Sequence, residues 1–418
     1  MQRWGTLRVI LLIGFCLSVV PGIYQEGVAA PGGGAKRQAD FTRFVIVGDS
    51  LSAGAQNFSL NEDSQPNSYA NLIARQKGAN LPLPLIARPG IPAPLVLVSP
   101  GPPPVVVPGT GTSAGRVDWS LQPYNVSVPN LKIDEVLGYR PDCLPPDPTI
   151  GGIRLVDVYV EMVLGYPGCF VGQVGSEIET AVALQPTFAI LWVGNNDTLW
   201  AVVNGVTSEI TDDNVFEDDY EEIVRRLTAT GTGIVIGNLP DPTTTPFLTS
   251  AEDLAAMLGL PLSVIGPVLG IGAGDFVTLF GINYLQSGGT GPLPDSMVVT
   301  SAEIEVIQAA NLKFNSIVYD VASRYNIPVV DIRGLMQEIY EKGIVVGGQR
   351  LTLDYLGGIF TLDGFHPTNT GHAIVANKFI RTINRYYKAD IPLVDVDAIK
   401  TNDPLVFPDA GRPPSSTK

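Results

Sequence analysis

The chain has 418 residues, of which 45% are apolar and 16% charged, so it can bury a large core and is not globally disordered. Its formal net charge of −15 makes contact with phosphate backbones and anionic membrane surfaces unfavourable, and we expect no nucleic-acid partner. The 45 glycines and 35 prolines predict long irregular connections between regular elements.

The N-terminus has the pattern of an export signal. Arg3 and Arg8 form a basic region before an apolar stretch at 9–20, which is short for a membrane span. Small residues at 28–30 predict cleavage after Ala30, with Ala35 as the alternative site. We therefore expect a signal peptide at 1–30 and a secreted or periplasmic protein without a stable membrane anchor after cleavage. An uncleaved anchor is the alternative interpretation.

Buried strands and amphipathic helices alternate along the rest of the chain. Continuous β-branched runs predict strands that are covered on both faces, as in a parallel sheet, at 43–48, 187–193, 233–238 and 327–332. Apolar stripes predict helices at 216–227, at 304–321 and at 371–387, and Thr300 with Glu303 forms a capping box before the second of these. This alternation predicts an α/β doubly wound fold.

The chain is predicted to form a single domain at 41–390, which two insertions interrupt and a C-terminal extension follows. The segment 82–108 contains ten prolines, which favour extended loop over helix or central strand. The segment 246–299 is apolar and rich in Gly and Pro, and we interpret it as short helices that form a lid, an acyl-pocket wall or ordinary packing. The extension is 391–418, and its end at 408–418 is predicted to be disordered.

Two cysteines, Cys143 and Cys169, follow the predicted signal peptide. In an exported chain such a pair predicts one disulfide, with two buried or free thiols as the alternative. Neither cysteine has a Cys or His at metal-ligand spacing, so we expect no zinc site.

Histidine is scarce, and this narrows the choice of a catalytic base to His366 and His372. Asp363 precedes His366 by three residues, so a single turn can place its carboxylate on one imidazole nitrogen and leave the other to accept a proton. His372 has no acid at that spacing, and we interpret it as a structural or capping residue. Taken alone, an Asp-x-x-His pattern is also typical of a surface turn.

A candidate nucleophile, Ser50, stands where the first predicted strand ends, in the stretch Val-Gly-Asp-Ser-Leu-Ser. Sites in open α/β sheets gather at the carboxyl ends of strands. A second strand end carries Gly194-Asn195-Asn196-Asp197, and an Asn amide there can donate to an oxyanion. Each pattern alone is also typical of structure, since Asp-Ser caps helices and Gly-Asn forms turns.

The three patterns occur in the order Ser, Gly-x-Asn-Asp and Asp-x-x-His, and in this combination the sequence resembles the SGNH, or GDSL-type, esterase/lipase family from about residue 41 to 387. The resemblance implies a three-layer αβα sandwich of the flavodoxin-like type with a mainly parallel sheet. It further implies Ser50 as nucleophile, His366 as base, Asp363 as the acid that orients it and Asn196 as an oxyanion donor. Small-molecule or lipid esters would be the substrates, and no metal or organic cofactor would be needed.

A second oxyanion donor is expected from the family's second block, where a glycine usually stands. The corresponding stretch looks like 124–130, and Asn130 occupies the expected glycine position. A backbone donor survives this change, and asparagine tolerates positive φ better than most residues. We therefore expect the backbone N–H groups of Ser50 and Asn130 to join the Asn196 amide, with Gly115 as a less favoured alternative to Asn130.

Other functions stay open at this point. The same triad can serve an acyltransferase or a carbohydrate acetyl-esterase, and a secreted non-catalytic binding protein could keep the fold. Intact Ser50, Asp363, His366 and Asn196 argue against the binding protein, since a binder has no need of all four. Asp331, at the end of the predicted strand 327–332, is a competing acid, but a strand-end cap is the preferred interpretation.

Overall fold

A computed structural model describes residues 38–101, 104–143 and 154–407. The predicted signal peptide at 1–30 and the tail at 408–418 lie outside the described residues. The strands are β1 (Phe44–Gly48), β2 (Val96–Ser99), β3 (Val105–Val107), β4 (Phe188–Trp192), β5 (Gly233–Gly237), β6 (Leu248–Ser250), β7 (Phe276–Thr278), β8 (Val298–Val299), β9 (Val329–Val330), β10 (Ile344–Val346) and β11 (Gln349–Leu351). The helices are α1 (Ser50–Ala53), α2 (Tyr69–Lys77), α3 (Ile133–Gly138), α4 (Leu155–Val160), α5 (Gly168–Val171), α6 (Glu177–Ala183), α7 (Asn196–Asn204), α8 (Asp213–Ala229), α9 (Ala251–Leu258), α10 (Leu262–Leu269), α11 (Leu279–Gln286), α12 (Ser301–Arg324), α13 (Ile332–Lys342), α14 (Asn369–Tyr387) and α15 (Val396–Thr401).

The central sheet is parallel, with the strand order β1-β4-β5-β9. Its register pairs Phe44 with Phe188, Phe188 with Gly233, and Ile236 with Val329. Every residue of β1 and β4 is buried, as expected for strands with continuous apolar runs. The predicted α/β fold with a central parallel sheet is confirmed.

Helices cover the sheet in two groups. One group is formed by α8 with α3, α6 and α12, and the other by α14 with α2. The main core lies between these helices and the four strands, and Phe44, Phe188, Phe216, Phe314 and Phe379 are among its fully buried side chains. The helices cover both faces of the sheet, and loops lie at the carboxyl ends of its strands.

The helix starts follow local capping signals. The predicted capping box is present at α12, where Glu303 N–H donates to Thr300 Oγ1 at 3.3 Å and the Glu303 carboxylate accepts from Thr300 N–H at 2.8 Å. The last predicted helix begins at Asn369, two residues before the expected start, because Thr368 supplies its N-cap. Capping side chains thus set both starts.

The predicted strand at 327–332 is mostly wrong. Only Val329 and Val330 form a strand, and α13 begins at Ile332. Asp331 ends the strand by capping that helix, since its Oδ1 accepts from Gly334 N–H at 2.9 Å. The interpretation of Asp331 as a cap is confirmed.

The two insertions contain more sheet than the sequence indicates. Within 82–108, β2 and β3 pair as an antiparallel hairpin away from the central sheet. Within 246–299, the predicted short helices α9, α10 and α11 are present, but β6, β7 and β8 also form a three-stranded antiparallel sheet. Among the described residues no single helix is long and apolar enough to cross a membrane, and α9 with α10 meets that test only as a pair bent by 110°.

A disulfide and a pair of hydrogen bonds hold two segments outside the central sheet. Cys143 and Cys169 form the predicted disulfide. In the C-terminal extension, Asp403 Oδ2 accepts from the Thr370 N–H at 2.8 Å and from the Thr370 hydroxyl at 2.7 Å. The described part of the extension is therefore attached to the start of α14.

Candidate active site

A buried aspartate–histidine pair lies in the loop before α14. Asp363 Oδ2 is 2.8 Å from His366 Nδ1, and both side chains are buried. The same turn also directs the His366 and Phe365 N–H groups at Asp363 Oδ1, at 2.9 and 3.0 Å, while the Phe58 N–H donates to Oδ2 at 2.7 Å. The predicted contact between Asp363 and His366 is therefore present, and four donors hold the carboxylate.

The charge on Asp363 determines the tautomer of His366. Burial opposes ionisation of Asp363, but the His366 imidazole and the hydrogen bonds from His366 and Phe58 outweigh it and hold the pKa of Asp363 below its usual value. An ionised carboxylate only accepts hydrogen bonds, so His366 Nδ1 carries the proton. His366 Nε2 is then the acceptor, and within the described residues this buried atom has no hydrogen-bond partner.

Ser50 stands at the carboxyl end of β1 as the first residue of α1. The preceding Asp49 caps this short helix, because its Oδ1 accepts from the Leu51 N–H at 3.0 Å. The N–H of Ser50 belongs to the first turn, where helix N–H groups lack an intrahelical acceptor. The serine side chain is buried and lines a cavity.

A buried amide joins the ends of β1 and β4. Asn195 Nδ2 donates to Asp49 Oδ2 at 2.7 Å, across two neighbouring strands of the sheet. Burial raises the pKa of Asp49 to about 6, against the lowering effect of this bond and of the Leu51 N–H. The contact couples the Ser50 turn to the Gly-x-Asn-Asp turn.

The predicted oxyanion donor Asn196 begins α7 in the same turn. Its Nδ2 donates to the Leu131 carbonyl at 2.8 Å, and because an amide nitrogen carries two N–H groups, one is left for an oxyanion. The neighbouring Asp197 accepts from Thr211 Oγ1 at 2.6 Å and from the Ile133 N–H at 3.2 Å. Burial raises the pKa of Asp197 to about 7, and its contacts tie α7 to α3.

One cavity brings these side chains together at the carboxyl edge of the sheet. Its empty volume is about 690 Å³, which includes space that is open to solvent. Its polar members near β1 and β4 are Asp49, Ser50, Asn195, Asn196 and His366. Asp363 lies behind His366 and does not line the cavity.

Asn130 follows a segment that runs beside β1. In that segment the Val126 and Val128 N–H groups donate to the Ile46 and Gly48 carbonyls, each at 3.0 Å. Asn130 has φ of 75°, which agrees with the positive φ that the sequence allowed for. It is not among the residues that line the cavity, and neither is the alternative Gly115.

The remaining histidine has a structural contact. His372 is the fourth residue of α14, rather than the second as expected from the sequence, and it is fully buried. Its Nδ1 accepts the Tyr69 N–H at the start of α2, at 3.3 Å, and burial lowers its pKa to about 3. A neutral imidazole therefore accepts the first N–H of α2, which agrees with the structural interpretation of His372.

Sequence reasoning did not identify three contributors to the site. Asn195 occupies the variable position of Gly-x-Asn-Asp, so the motif predicts no role for it, although it lies beside Asn196 at a strand end. Glu177 Oε1 accepts the Gly48 N–H at 2.6 Å, directly before the nucleophile turn. Phe58 supplies only its N–H to Asp363, and a backbone donor leaves no signal in the side-chain pattern.

A serine, a buried Asp–His pair and Asn amides at the carboxyl edge of a parallel sheet form the arrangement of a serine hydrolase. The family model described as GDSL-like Lipase/Acylhydrolase matches residues 44–379, and the chain belongs to this family. A search of curated protein sequences finds no match.

The chain is also similar to solved structures, among them a lipase/acylhydrolase and an acetylxylan esterase. A lipase/acylhydrolase from Enterococcus faecalis shares 10% identity and a TM-score of 0.34, over 82% of this chain and 96% of that one. A catalytic mutant of an acetylxylan esterase from Geobacillus stearothermophilus shares 11% identity and a TM-score of 0.36, over 84% of this chain and 96% of that one.

Proposed function

We propose that this protein is a secreted serine ester hydrolase that cleaves carboxylic esters through an acyl-enzyme on Ser50. The observation that carries the proposal is the buried Nε2 of His366, which has no hydrogen-bond partner among the described residues. His366 lines the same cavity as Ser50, and Asp363 Oδ2 lies 2.8 Å from its Nδ1. A general base needs this combination of an oriented ring and a free acceptor nitrogen.

In the proposed reaction, Ser50 Oγ attacks the ester carbonyl carbon while His366 Nε2 removes the hydroxyl proton. The Ser50 N–H and the second side-chain N–H of Asn196 stabilise the oxyanion, with the Asn130 N–H as the third donor taken from the family resemblance. His366 then protonates the leaving alkoxide as the C–O bond breaks. Water, activated by the same histidine, releases the acid and restores Ser50.

Export is supported by the basic and apolar N-terminal pattern at 1–30 and by the Cys143–Cys169 disulfide, since disulfides persist in oxidising compartments. N-terminal sequencing of the protein recovered outside the cytoplasm would test this part. A chain that begins after Ala30 or Ala35 is expected, and a full-length chain retained in the cells would contradict export.

Covalent labelling tests the nucleophile separately from substrate choice. A fluorophosphonate should add one equivalent to the wild-type protein and none to Ser50→Ala, as measured by intact-mass spectrometry. Ser52→Ala is the matched control, because Ser52 lies on the same helix but its hydroxyl is bonded to Tyr69 at 2.8 Å. Labelling of Ser50→Ala at the wild-type rate would refute the assignment.

A further inference from the structure

The loop after β5 contributes three polar residues to the Ser50 cavity that the proposed reaction does not use, namely Asp241, Thr244 and Thr245. Asp241 is 7% exposed, which is close to the 6% of Ser50 and the 5% of His366. Thr244 and Thr245 are half-buried, so the three residues border open space rather than the packed core. A substrate that fills the cavity therefore meets them.

The two threonine hydroxyls are left with acceptor capacity only. Thr244 Oγ1 donates to the Asp241 carbonyl at 2.8 Å, and Thr245 Oγ1 donates to the Pro242 carbonyl at 2.9 Å. A hydroxyl has one proton and two lone pairs, so a hydroxyl whose proton is committed can only accept a further hydrogen bond. Both bonds are local to one turn of the chain, and no ligand is needed to form them.

The Asp241 carboxylate also has acceptor capacity left. Its Oδ1 accepts the Thr243 N–H at 3.0 Å and the Thr243 hydroxyl at 2.7 Å. Its Oδ2 lies 3.6 Å from Arg333 Nη2, which is longer than a hydrogen bond. Arg333 is held elsewhere, since its N–H donates to Asn238 Oδ1 at 2.8 Å and its guanidinium donates to Asn311. Within the described residues, Asp241 Oδ2 therefore accepts no hydrogen bond.

We call Asp241, Thr244 and Thr245 the acceptor wall. Acceptors that are removed from water lose their hydrogen bonds unless a ligand donates to them, so the wall favours a donor. Ester and ether oxygens cannot donate. A cationic donor would be repelled by Arg333, which lies beside Asp241. A neutral hydroxyl group satisfies both conditions.

We propose that the acceptor wall binds hydroxyl groups on the alcohol portion of the ester, with Asp241 as the main specificity-determining residue. This inference rests on the proposed function. A simple acyl group carries no hydroxyl, whereas a polyol keeps free hydroxyls after one of them is acylated. Asp241 dominates, because a hydrogen bond to a charged acceptor is about twice as strong as one to a neutral acceptor. The expected substrates are partial esters of polyols.

A matched pair of esters tests the inference. Glycerol 1-butyrate and propyl butyrate share the acyl group and the carbon skeleton of the alcohol, and they differ in the free hydroxyls. Titration of the released acid gives kcat/KM for each ester, and the wild type should prefer the glycerol ester at least about tenfold. Asp241→Asn should lower this preference about tenfold, because the amide oxygen can keep the Thr243 contacts while the charge on the acceptor is lost.

Two further variants complete the test. Thr245→Val removes one neutral acceptor at nearly constant volume and should lower the preference about threefold. Asp331→Asn is the matched control, because Asp331 accepts from Asn238 at 2.9 Å in the same cluster of polar groups but does not line the cavity. Its preference for the glycerol ester should equal that of the wild type.

The outcomes separate this inference from the proposed function. Ser50-dependent hydrolysis of both esters at equal kcat/KM, or equal preferences in Asp241→Asn and Asp331→Asn, would overturn the inference and leave the esterase proposal standing. An Asp241-dependent preference for propyl 3-hydroxybutyrate over propyl butyrate, without one for the glycerol ester, would overturn the assignment to the alcohol portion. Hydrolysis of every ester at the rate of Ser50→Ala would overturn both proposals. If Asp241→Asn does not fold by circular dichroism, an unchanged preference in Thr245→Val overturns the inference.

Discussion

Replacing Asp363 by asparagine should leave the fold in place and remove most of the activity. The carboxylate accepts the Phe365 and His366 N–H groups on Oδ1, and the Phe58 N–H and His366 Nδ1 on Oδ2. An amide has one acceptor oxygen. Placing the amide nitrogen at Oδ2 orphans one backbone N–H, whereas placing it at Oδ1 orphans two. The first orientation is therefore preferred.

In that orientation the amide donates to His366 Nδ1 and forces the proton onto Nε2. The imidazole then cannot accept the Ser50 proton, so kcat/KM should fall about 10³–10⁴-fold, in the range known for this change in serine proteases. The orphaned Phe58 N–H should lower the free energy of unfolding by about 1–3 kcal/mol. The variant should therefore stay folded while it loses most of its kcat/KM.

The assay combines kcat/KM for p-nitrophenyl butyrate with urea unfolding, using Ser50→Ala as the background rate. Asp331→Asn is the matched control, because Asp331 caps α13 at the same edge of the sheet, and it should keep wild-type activity. If Asp363→Asn retains more than a tenth of the wild-type kcat/KM, or if Asp331→Asn loses as much, the assignment of Asp363 as the orienting acid is refuted.

Three further predictions concern stability. Reducing the Cys143–Cys169 disulfide, whose cysteines are 26 residues apart, should lower the free energy of unfolding by about 3 kcal/mol in urea titrations with and without reductant. Thr300→Ala removes the N-cap of α12 and should cost about 1 kcal/mol in the same titration, whereas Ser301→Ala should cost little; equal effects would contradict the cap. Burial raises the pKa of Asp197 to about 7, so the folded protein holds a proton that the unfolded chain releases from about pH 4, and stability is lost as pH rises through this window, by about 4 kcal/mol at most. Asp197→Asn removes this loss, so its free energy of unfolding relative to wild type should rise between about pH 4 and pH 8; a constant difference would contradict the raised pKa.

The central sheet was predictable because its strands carry a local signal. The runs at 43–48, 187–193 and 233–238 contain β1, β4 and β5 to within a residue or two at each end. The run at 327–332 failed because its β-branched residues extend past Asp331, whose side chain starts α13 instead. A helix cap outweighed β propensity over two residues.

The insertion at 246–299 carries no comparable signal. Its strands β6, β7 and β8 are three, three and two residues long, too short for an alternating pattern to appear. β6 pairs with β7 across the intervening helices α9 and α10. Such pairing depends on packing between distant segments, which sequence periodicity does not encode.

The Asp363–His366 contact was predictable because both groups lie in one turn and histidine is scarce. The contact of Asn195 with Asp49 was not predictable, because it depends on which strand lies next to β1. The segment carrying Asp49 and the one carrying Asn195 are 146 residues apart, and only the parallel pairing of β1 with β4 brings them within 2.7 Å. Sheet order, rather than motif, determines that contact.

Buried carboxyl groups surround the nucleophile turn and explain how the site is held. Glu177 accepts the Gly48 N–H, and Asp49 accepts the Asn195 amide, so the two residues before Ser50 are bonded to other elements. Burial raises the pKa of Glu177 well above its usual value, as it raises that of Asp49, so both groups are costly to ionise. Folded proteins retain energetically costly groups of this kind at functional sites, where a defined arrangement of side chains is needed. Here the Asp49–Asn195 hydrogen bond joins the end of β1, which Ser50 follows, to the end of β4, which Asn196 follows.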